Sequence, residues 1–444
     1  MDESKKAISN ESSLKKEIGL IPAVSLVIGM VIGSGVFFKS HAIFNATGAP
    51  GLGIIAWILG GILSIAGGLT VAELSAAIPK TGGMIVYLEE AYGKIWGFLL
   101  GWVQTVIFYP ATIAALAIIF STQVINLTGI SGGMLNIIAI ITAVFLFAMN
   151  CLGSKTGAYI QTVSTICKLI PLVAIIIVGL VKGGGGTVNL LPIAAADHPV
   201  VSGLGSALIA TMFAYDGWIS VGVIAGEMKN PAKDLPKAII GGLSLVMAVY
   251  LLINIAYLFV LPSSALAATE TPAADVAKII FGTNGGKIIT IGILISVFGT
   301  LNGNILTCMR IPYKLATEGT LPGSAWLSRL HPTFKTPVNA GILEIIVSII
   351  YIFSGKFDQL TDLTIFVIFI FYILTFYSVF ILRKKQPDLY RPYKVPMYPI
   401  IPAVAIIGGL YILINTIITQ PMNAGIGLVL TFIGLPVYKA MNKD

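Results

Sequence analysis

The sequence predicts an all-helical membrane protein of about twelve transmembrane helices, and three observations support this class. Hydrophobic residues make up 56% of the 444-residue chain and charged residues only 10%, whereas soluble domains carry nearer 25% charge. Apolar stretches of about 20 residues, the length that crosses the hydrocarbon core of a bilayer, recur along the whole chain. Two of these stretches are interrupted by glycine at matching places. A lipid-embedded bundle is the class of protein that fits all three.

The predicted spans are placed by apolar length, and no loop between them is long enough for a soluble domain. They lie at 18–44, 51–78, 93–121, 133–153, 157–181, 203–227, 237–261, 286–316, 337–354, 360–382, 397–418 and 423–440. Residues 1–17 are hydrophilic and precede them as an N-terminal tail, and the apolar run that follows is too long for a signal-peptide core. We therefore expect one transmembrane domain over residues 18–440.

Basic residues predict that both termini lie in the cytoplasm, on the inner face of the cell membrane. Lysine and arginine accumulate in cytoplasmic loops, and of the 27 such residues most fall on one side of the predicted bundle. Lys168 lies within a span, and those assigned to outside loops are Lys39, Lys182, Lys278, Lys287 and Lys356. The net charge of +8 is thus explained by topology, and no nucleic-acid partner is expected.

Two interrupted spans predict an inverted repeat. Gly33-Ser34-Gly35 lies in the middle of span one, and a second interruption, 213–218, lies in span six. Each glycine costs about 1 kcal/mol in a helix interior, so both helices are expected to break. Because the two broken spans are an odd number of spans apart, the second copy enters from the opposite side. Repeat one would cover 18–181, repeat two 203–382, and helices eleven and twelve 397–440.

Broken helices in a membrane predict a polar ligand. Unpaired backbone groups in lipid cost several kcal/mol each unless something polar fills the break. Amides at the start of the outer half-helix suit a carboxylate, and carbonyls at the end of the inner half suit an ammonium. Two facing breaks can hold both ends of a zwitterion, so the predicted ligand is a free amino acid. Close helix packing is the alternative use of such glycines, and the second break at the matching place favours binding.

Two charged residues near mid-membrane are expected to belong to the site. Asp216 either faces a water-filled cavity near the substrate amine or caps the inner half of span six. Lys168 lies about 16 to 20 Å from either membrane face at 1.5 Å per residue, too deep for its side chain to reach water. We expect its ammonium to bind carbonyls exposed at the span-one break, where a cation-coupled carrier holds sodium; the alternative is a lysine that only lines a cavity. Glu73 and Glu344 are given no role.

Motifs of other chemistries are missing from the sequence. It contains no phosphate-binding G-x-x-x-x-G-K-[ST] loop, nucleophile elbow or zinc signature. Its cysteines, Cys151, Cys167 and Cys308, lack the spacing of a metal site or redox pair. We therefore expect neither an enzyme nor an ATP-driven pump, with no metal and no cofactor.

Several motifs together resemble one family over the whole chain. They are Ile32-Gly-Ser-Gly-Val-Phe37, Ala72-Glu-Leu74 followed by Ile78-Pro-Lys-Thr-Gly-Gly83, Phe213-Ala-Tyr-Asp-Gly-Trp218, Gly226-Glu-Met-Lys-Asn-Pro231, and Arg383-Lys-Lys385 before Pro392. This pattern resembles the amino acid, polyamine and organocation (APC) superfamily, specifically bacterial relatives of the L-type amino acid transporter (LAT) family. The similarity is greatest to the serine/threonine and alanine-serine-cysteine exchanger types. It implies the LeuT-like fold, with a five-plus-five inverted repeat and alternating access.

The resemblance also implies roles for individual residues. The substrate carboxylate would meet Gly33, Ser34 and Gly35. Its amine would meet carbonyls of the two breaks, at Val31, Phe213, Ala214 and Asp216. Phe213 would close over bound substrate on the outer side, Lys168 matches the family's span-five lysine, and Tyr250 matches a span-seven tyrosine that works with it.

These expectations converge on a sodium-independent antiporter, or exchanger, of small neutral L-amino acids: alanine, serine, threonine, cysteine and glycine. Proton-coupled symport, in which Lys168 or Asp216 titrates, is one alternative. Transport of cationic amino acids or polyamines is another, and an amino acid sensor is a third. Residues 122–132 contain no cysteine, so no covalently linked heavy subunit is expected.

Overall fold

A computed structural model describes residues 19–78, 83–152, 163–164, 167–182, 190–196, 198–219 and 228–441. Within these ranges the chain is helical and contains no extended strand. Residues 1–18, which hold most of the predicted tail, lie outside the described part. So do parts of predicted spans five and six, at 157–162, 165–166 and 220–227.

Helices of the first half begin with the two pieces of predicted span one. They are α1 (Leu20–Val31), α2 (Gly35–Thr47), α3 (Pro50–Ala77), α4 (Met84–Tyr92), α5 (Lys94–Val103), α6 (Tyr109–Thr128), α7 (Leu135–Cys151) and α8 (Leu169–Lys182). A π-helical segment, Gln104–Phe108, joins α5 to α6 and completes predicted span three. Gly48 ends α2 with φ +60°, and Pro50 starts α3, where its missing N–H would have no helical partner anyway.

The second half begins with the helix that precedes the second interruption. Its helices are α9 (Val200–Tyr215), α10 (Pro231–Val260), α11 (Ser263–Ala268), α12 (Pro272–Cys308), α13 (Arg310–Thr317), α14 (Ser324–Leu327), α15 (Val338–Ser354), α16 (Phe357–Lys385), α17 (Ile400–Thr419) and α18 (Pro421–Met441). The run α12 consists of two helices joined at Gly282, where the backbone is not helical (φ +71°), so the predicted start of span eight at 286 lies close to the start of the second helix. Lys278 lies on the first of these two helices and Lys287 on the second, so neither lies in a loop.

Length and composition make the chain a multi-pass membrane protein. Among the described residues, eight helical runs are long and apolar enough to cross a membrane, or nine if α1 and α2 count as one bent span. Three further helices, α8, α9 and α15, are apolar but shorter. These findings confirm an all-helical membrane bundle, and the count of twelve spans and the inverted repeat stay predictions.

The interrupted helices lie together inside the bundle. α2 packs against α9, and α10 packs against both α1 and α3. On another side α6 packs against α12, α15 and α16. The broken helices therefore have α10, α12 and α16 as neighbours, and α6 packs against α12 and α16. Below, the face of the bundle at which α1 begins is called the α1 side, and the face at which α2 ends is called the α2 side.

Candidate functional site

The predicted break in span one is confirmed. α1 and α2 are bent by 51° relative to each other, and the residues between Val31 and Gly35 are not helical. The first four N–H groups of any helix and the last four carbonyls lack partners within it. The break thus presents carbonyls from the end of α1 and amides from the start of α2 at one place.

The second break lies at the end of α9 and touches the first. Asp216 is extended, with ψ 163°, and Gly217 has φ +105°, a conformation that L side chains rarely adopt. A Cβ at Gly35 would lie 2.5 Å from the Cα of Ala214, and a Cβ at Gly217 would lie 2.8 Å from the carbonyl oxygen of Met30. The two breaks can approach this closely only because both positions are glycine.

A cavity of about 360 Å³ lies against both breaks. Lys168 lines this cavity, and so do all the predicted substrate-binding residues. The latter are Val31, Gly33, Ser34, Gly35, Phe213, Ala214 and Asp216. Most of the remaining wall comes from α1, α6, α12 and α16 and from the π-helical segment, with Met84 of α4 and two residues after α9. It extends along α1 to Leu26 and Met30, which are 37% and 40% exposed. The cavity therefore reaches toward the α1 side.

Tyr250, on α10, ties the two breaks together from behind the cavity. It is fully buried, and its hydroxyl lies 2.8 Å from the carbonyl oxygen of Ala214 and 3.0 Å from that of Val31. Its ring packs edge-on against Trp57, with centroids 5.2 Å apart. Tyr250 therefore contacts the ends of both broken helices directly.

Lys168 reaches the carbonyl that the break frees. Its Nζ donates to the carbonyl oxygen of Gly29 at 2.5 Å, and the residue is only 3% exposed. In an unbroken helix the amide of Gly33 would donate a hydrogen bond to the Gly29 carbonyl, because helical bonds run from the N–H of residue i to the carbonyl of residue i−4. Lys168 therefore supplies a donor that span one has lost. This is the kind of contact that the sequence predicts.

Asp216 has a partner that the sequence did not indicate. The hydroxyl of Tyr372, on α16, donates to Asp216 Oδ1 at 2.7 Å, and both residues line the cavity. Asp216 lines the cavity, as one of its two expectations states. The capping role stays a prediction, because most of the inner half of span six, 220–227, lies outside the described residues. Tyr372 was missed because an aromatic residue in an apolar span carries no signal of its own.

Phe213 and the ion pair between the buried Lys39 and the partly exposed Asp358 close the cavity on the α2 side. The rings of Phe213 and Phe357 meet edge-on, with centroids 5.9 Å apart, and Lys39 Nζ lies 5.4 Å from the first ring and 4.9 Å from the second. Lys39 Nζ also lies 2.6 Å from Asp358 Oδ1 and 3.7 Å from Asp362 Oδ1. We call this group the α2-side seal.

The assignment of Lys39 to an outside loop was therefore wrong. The residue lies on α2 and is fully buried, and Thr361 Oγ1 accepts a third contact from its Nζ at 2.6 Å. A buried ammonium is tolerated because opposite charges and hydrogen bonds replace its lost water. The sequence signal that could have predicted this lysine-binding site is the spacing of Asp358, Thr361 and Asp362, which places three acceptors on one helix face.

The two glutamates without a predicted role differ sharply. Glu73 accepts a bidentate pair of hydrogen bonds from Arg383, at 2.8 and 2.6 Å, and another from the amide of Val395 at 2.7 Å. It therefore ties α3 to the end of α16. Glu344, on α15, is fully buried, and neither of its carboxyl oxygens has a hydrogen-bond partner among the described residues. Within that part of the chain no group of three potential metal ligands occurs either.

Comparison with known proteins identifies the class to which this fold and cavity belong. A family model described as amino acid permease matches residues 18–435. The chain belongs to this family, within the APC superfamily, and is an amino acid transporter rather than an enzyme.

Individual relatives lie among exchangers and L-type transporters. The chain is 44% identical to the serine/threonine exchanger SteT of Bacillus subtilis, over 98% of this chain and 99% of that protein. It is 31% identical to the mouse large neutral amino acids transporter small subunit 2, over 96% of this chain and 81% of the relative. It is also 31% identical to the human cystine/glutamate transporter, over 96% and 85% of the two chains.

Proposed function

We propose that this permease is a sodium-independent exchanger of small neutral L-amino acids, with serine, threonine, alanine, cysteine and glycine as substrates. The observation that carries the proposal is the pair of backbone breaks that touch each other and face one cavity. The similarity to a protein named as a serine/threonine exchanger supports both the substrate class and the exchange mode.

The substrate lies across the two breaks. Its carboxylate binds the amides of Gly33, Ser34 and Gly35 at the start of α2, where the helix dipole favours negative charge. Its amine binds carbonyls at Val31, Phe213, Ala214 and Asp216. The carbonyls of Val31 and Ala214 already lie within reach of the Tyr250 hydroxyl, but a carbonyl oxygen has two lone pairs, so each can accept a second donor.

Transport proceeds by alternating access around this site. The closed α2-side seal, with the cavity reaching toward the α1 side, fits one end of such a cycle, and opening of the seal gives the other. We place the α1 side in the cytoplasm, with both termini there, in a twelve-span bundle with the five-plus-five repeat. Residues 18–181 and 203–382 form the repeats, and 397–440 form the added helices.

Sodium independence rests on Lys168. Its ammonium lies 2.5 Å from the Gly29 carbonyl, a backbone oxygen that a bound sodium ion would otherwise use. A protein cation there removes the need for sodium. We also propose that the chain works without a covalently linked heavy subunit, because residues 122–132 carry no cysteine.

Proton-coupled symport is a second candidate, and one observation favours it. Glu344 is buried without a partner among the described residues, and a carboxyl in that position must carry a proton to be tolerated. Such a group could exchange its proton during the cycle. Transport of cationic substrates is supported less, because the Asp216 carboxylate is already bound to Tyr372.

Uptake into proteoliposomes tests the proposal. Labelled L-serine or L-alanine is offered in sodium-free buffer to vesicles that are either empty or preloaded with unlabelled serine. We expect rapid uptake only into loaded vesicles, at the same rate with or without sodium. Accumulation in empty vesicles under an imposed proton gradient would establish symport instead, and competition by arginine or a polyamine alone would establish a cationic substrate.

A further inference from the structure

A one-residue bulge interrupts predicted span three beside the cavity. In the π-helical segment Gln104–Phe108, the amide of Tyr109 donates to the carbonyl of Gln104, five residues back, instead of four. Such bulges insert one extra residue into a helix and occur frequently at functional sites.

The bulge has a cause in the sequence and a partner in the fold. Pro110 has no N–H and cannot donate to the carbonyl of Val106, four residues earlier. The hydroxyl of Tyr351, on α15, donates to that carbonyl at 3.2 Å. The local backbone is therefore held in this form by one proline and one long-range hydrogen bond.

The bulge changes which residue faces the cavity. On α6 the cavity wall contains Tyr109, Thr112 and Leu116, which follow helical spacing. Continued backward, that spacing would place Thr105 four residues before Tyr109 on the same face. Instead Gln104 lines the cavity, while Thr105 is 2% exposed and donates to the carbonyl of Gly101. The bulge thus exchanges a threonine for a glutamine in the wall.

The amide of Gln104 has an unused acceptor. Its Oε1 atom is buried, and no described residue donates a hydrogen bond to it. A buried acceptor without a donor is costly, and a rotation of the Gln104 amide that turns Oε1 toward the cavity lets a ligand hydroxyl supply that donor. The backbone breaks can hold the carboxylate and amine that all amino acids share. Groups elsewhere in the wall are left to distinguish the side chains.

We propose that Gln104 is a specificity-determining residue, whose amide oxygen accepts the side-chain hydroxyl of serine or threonine and so favours these substrates over alanine. This inference rests on the proposed function, since it concerns the substrate class of the same cavity. The bulge is what brings the amide to the wall, and its shape comes from Pro110 and Tyr351.

Half-saturation constants for serine and alanine exchange test the proposal in Gln104→Leu, with Thr105→Val as the matched control. Leucine keeps the size of the side chain and removes the acceptor. We expect the serine constant to rise roughly 3- to 10-fold, the gain typical of one uncharged hydrogen bond, while the alanine constant stays within about 2-fold. In Thr105→Val neither constant should change, because that hydroxyl bonds within its own helix.

Equal changes for serine and alanine in Gln104→Leu, or no change for either, would overturn the inference. If Gln104→Leu does not assemble, wild-type protein gives a second measurement. O-methyl-L-serine, whose oxygen carries no hydrogen, should compete roughly 3- to 10-fold more weakly than serine, and equal competition would again overturn the inference. Failure of wild-type protein to exchange serine at all would instead refute the proposed function, so the two failures are distinguishable.

Discussion

Breaking the α2-side seal should shift the transport cycle toward the state that opens on that side. Two single substitutions separate its parts: Lys39→Met removes the ammonium and keeps the length of the side chain, and Asp358→Asn removes the main counter-charge. Asp358 is 37% exposed as a side chain, whereas Lys39 is fully buried. After Lys39→Met the aspartate can recover water, but after Asp358→Asn the lysine keeps only Thr361 and the more distant Asp362.

The expected size follows from these contacts. Removing one partner of a wholly buried pair costs about 3 to 5 kcal/mol, but the partly exposed aspartate reduces this. Contacts of an ammonium with two aromatic rings add about 0.5 to 2 kcal/mol. We expect a change of about 1 to 3 kcal/mol for Lys39→Met, equivalent to roughly a 5- to 150-fold shift between two conformations. Asp358→Asn should produce the larger shift, because it leaves the buried charge behind.

Cysteine accessibility measures this shift. Thr364 lines the cavity beyond the seal and is 1% exposed, so Thr364→Cys in a background lacking the three native cysteines reports entry of a charged, membrane-impermeant thiol reagent. The labelling rate from the α2 side should rise in both seal variants, and more in Asp358→Asn. Rates within 2-fold of the parent, or a larger effect of Lys39→Met, would refute the reasoning. The labelling rate of the double variant should lie closer to the rate of Lys39→Met than to the rate expected from adding the two single effects.

Three further predictions concern the breaks and the unpaired glutamate. Lys168→Met removes a charged hydrogen bond worth about 1.5 to 3 kcal/mol. When exchange is measured separately from the two faces of the membrane, its rate from at least one face should fall roughly 10-fold or more; unchanged rates from both faces would contradict this role. Gly35→Ala should abolish exchange because its Cβ would lie 2.5 Å from a backbone atom of Ala214. Gly33→Ala should assemble normally, because the nearest contact of its Cβ is 3.4 Å. Equal behaviour of the two variants in thermal-shift and uptake assays would count against the close approach of α2 to α9. Glu344→Gln should keep the exchange rate within about 2-fold of the wild-type rate at both pH 6 and pH 8, since a protonated carboxyl and an amide are similar. If wild-type exchange depends on pH and the variant loses that dependence, proton coupling is favoured instead.

Local backbone chemistry could be predicted from the sequence because it depends on neighbouring residues. Gly33 and Gly35 indicated where span one opens, and the 51° bend confirms it. The depth of Lys168 in an apolar run required a buried partner for its ammonium, and the Gly29 carbonyl supplies one. The start of span eight was placed close to the break at Gly282, because this glycine and the polar residues around it separate two helices.

Contacts between distant parts of the chain could not be predicted in this way. The Lys39–Asp358 and Tyr372–Asp216 pairs join residues that are 319 and 156 positions apart. Lys39 looked like a loop residue because a lysine near a span end is usually solvated. Gln104 was not among the residues predicted for the site, and its place on the cavity wall follows from a bulge whose partner, Tyr351, lies on another helix.

By itself, the sequence determined that this protein is an all-helical membrane transporter and where its first interrupted span opens. These properties follow from apolar length and from the cost of glycine within a helix, which are set by residues close together in the chain. Only the tertiary structure decided which groups close the cavity and which ones face it. A charge or polar group buried in a low-dielectric interior must have a partner, and the sequence can state that need, but packing of distant helices selects the partner.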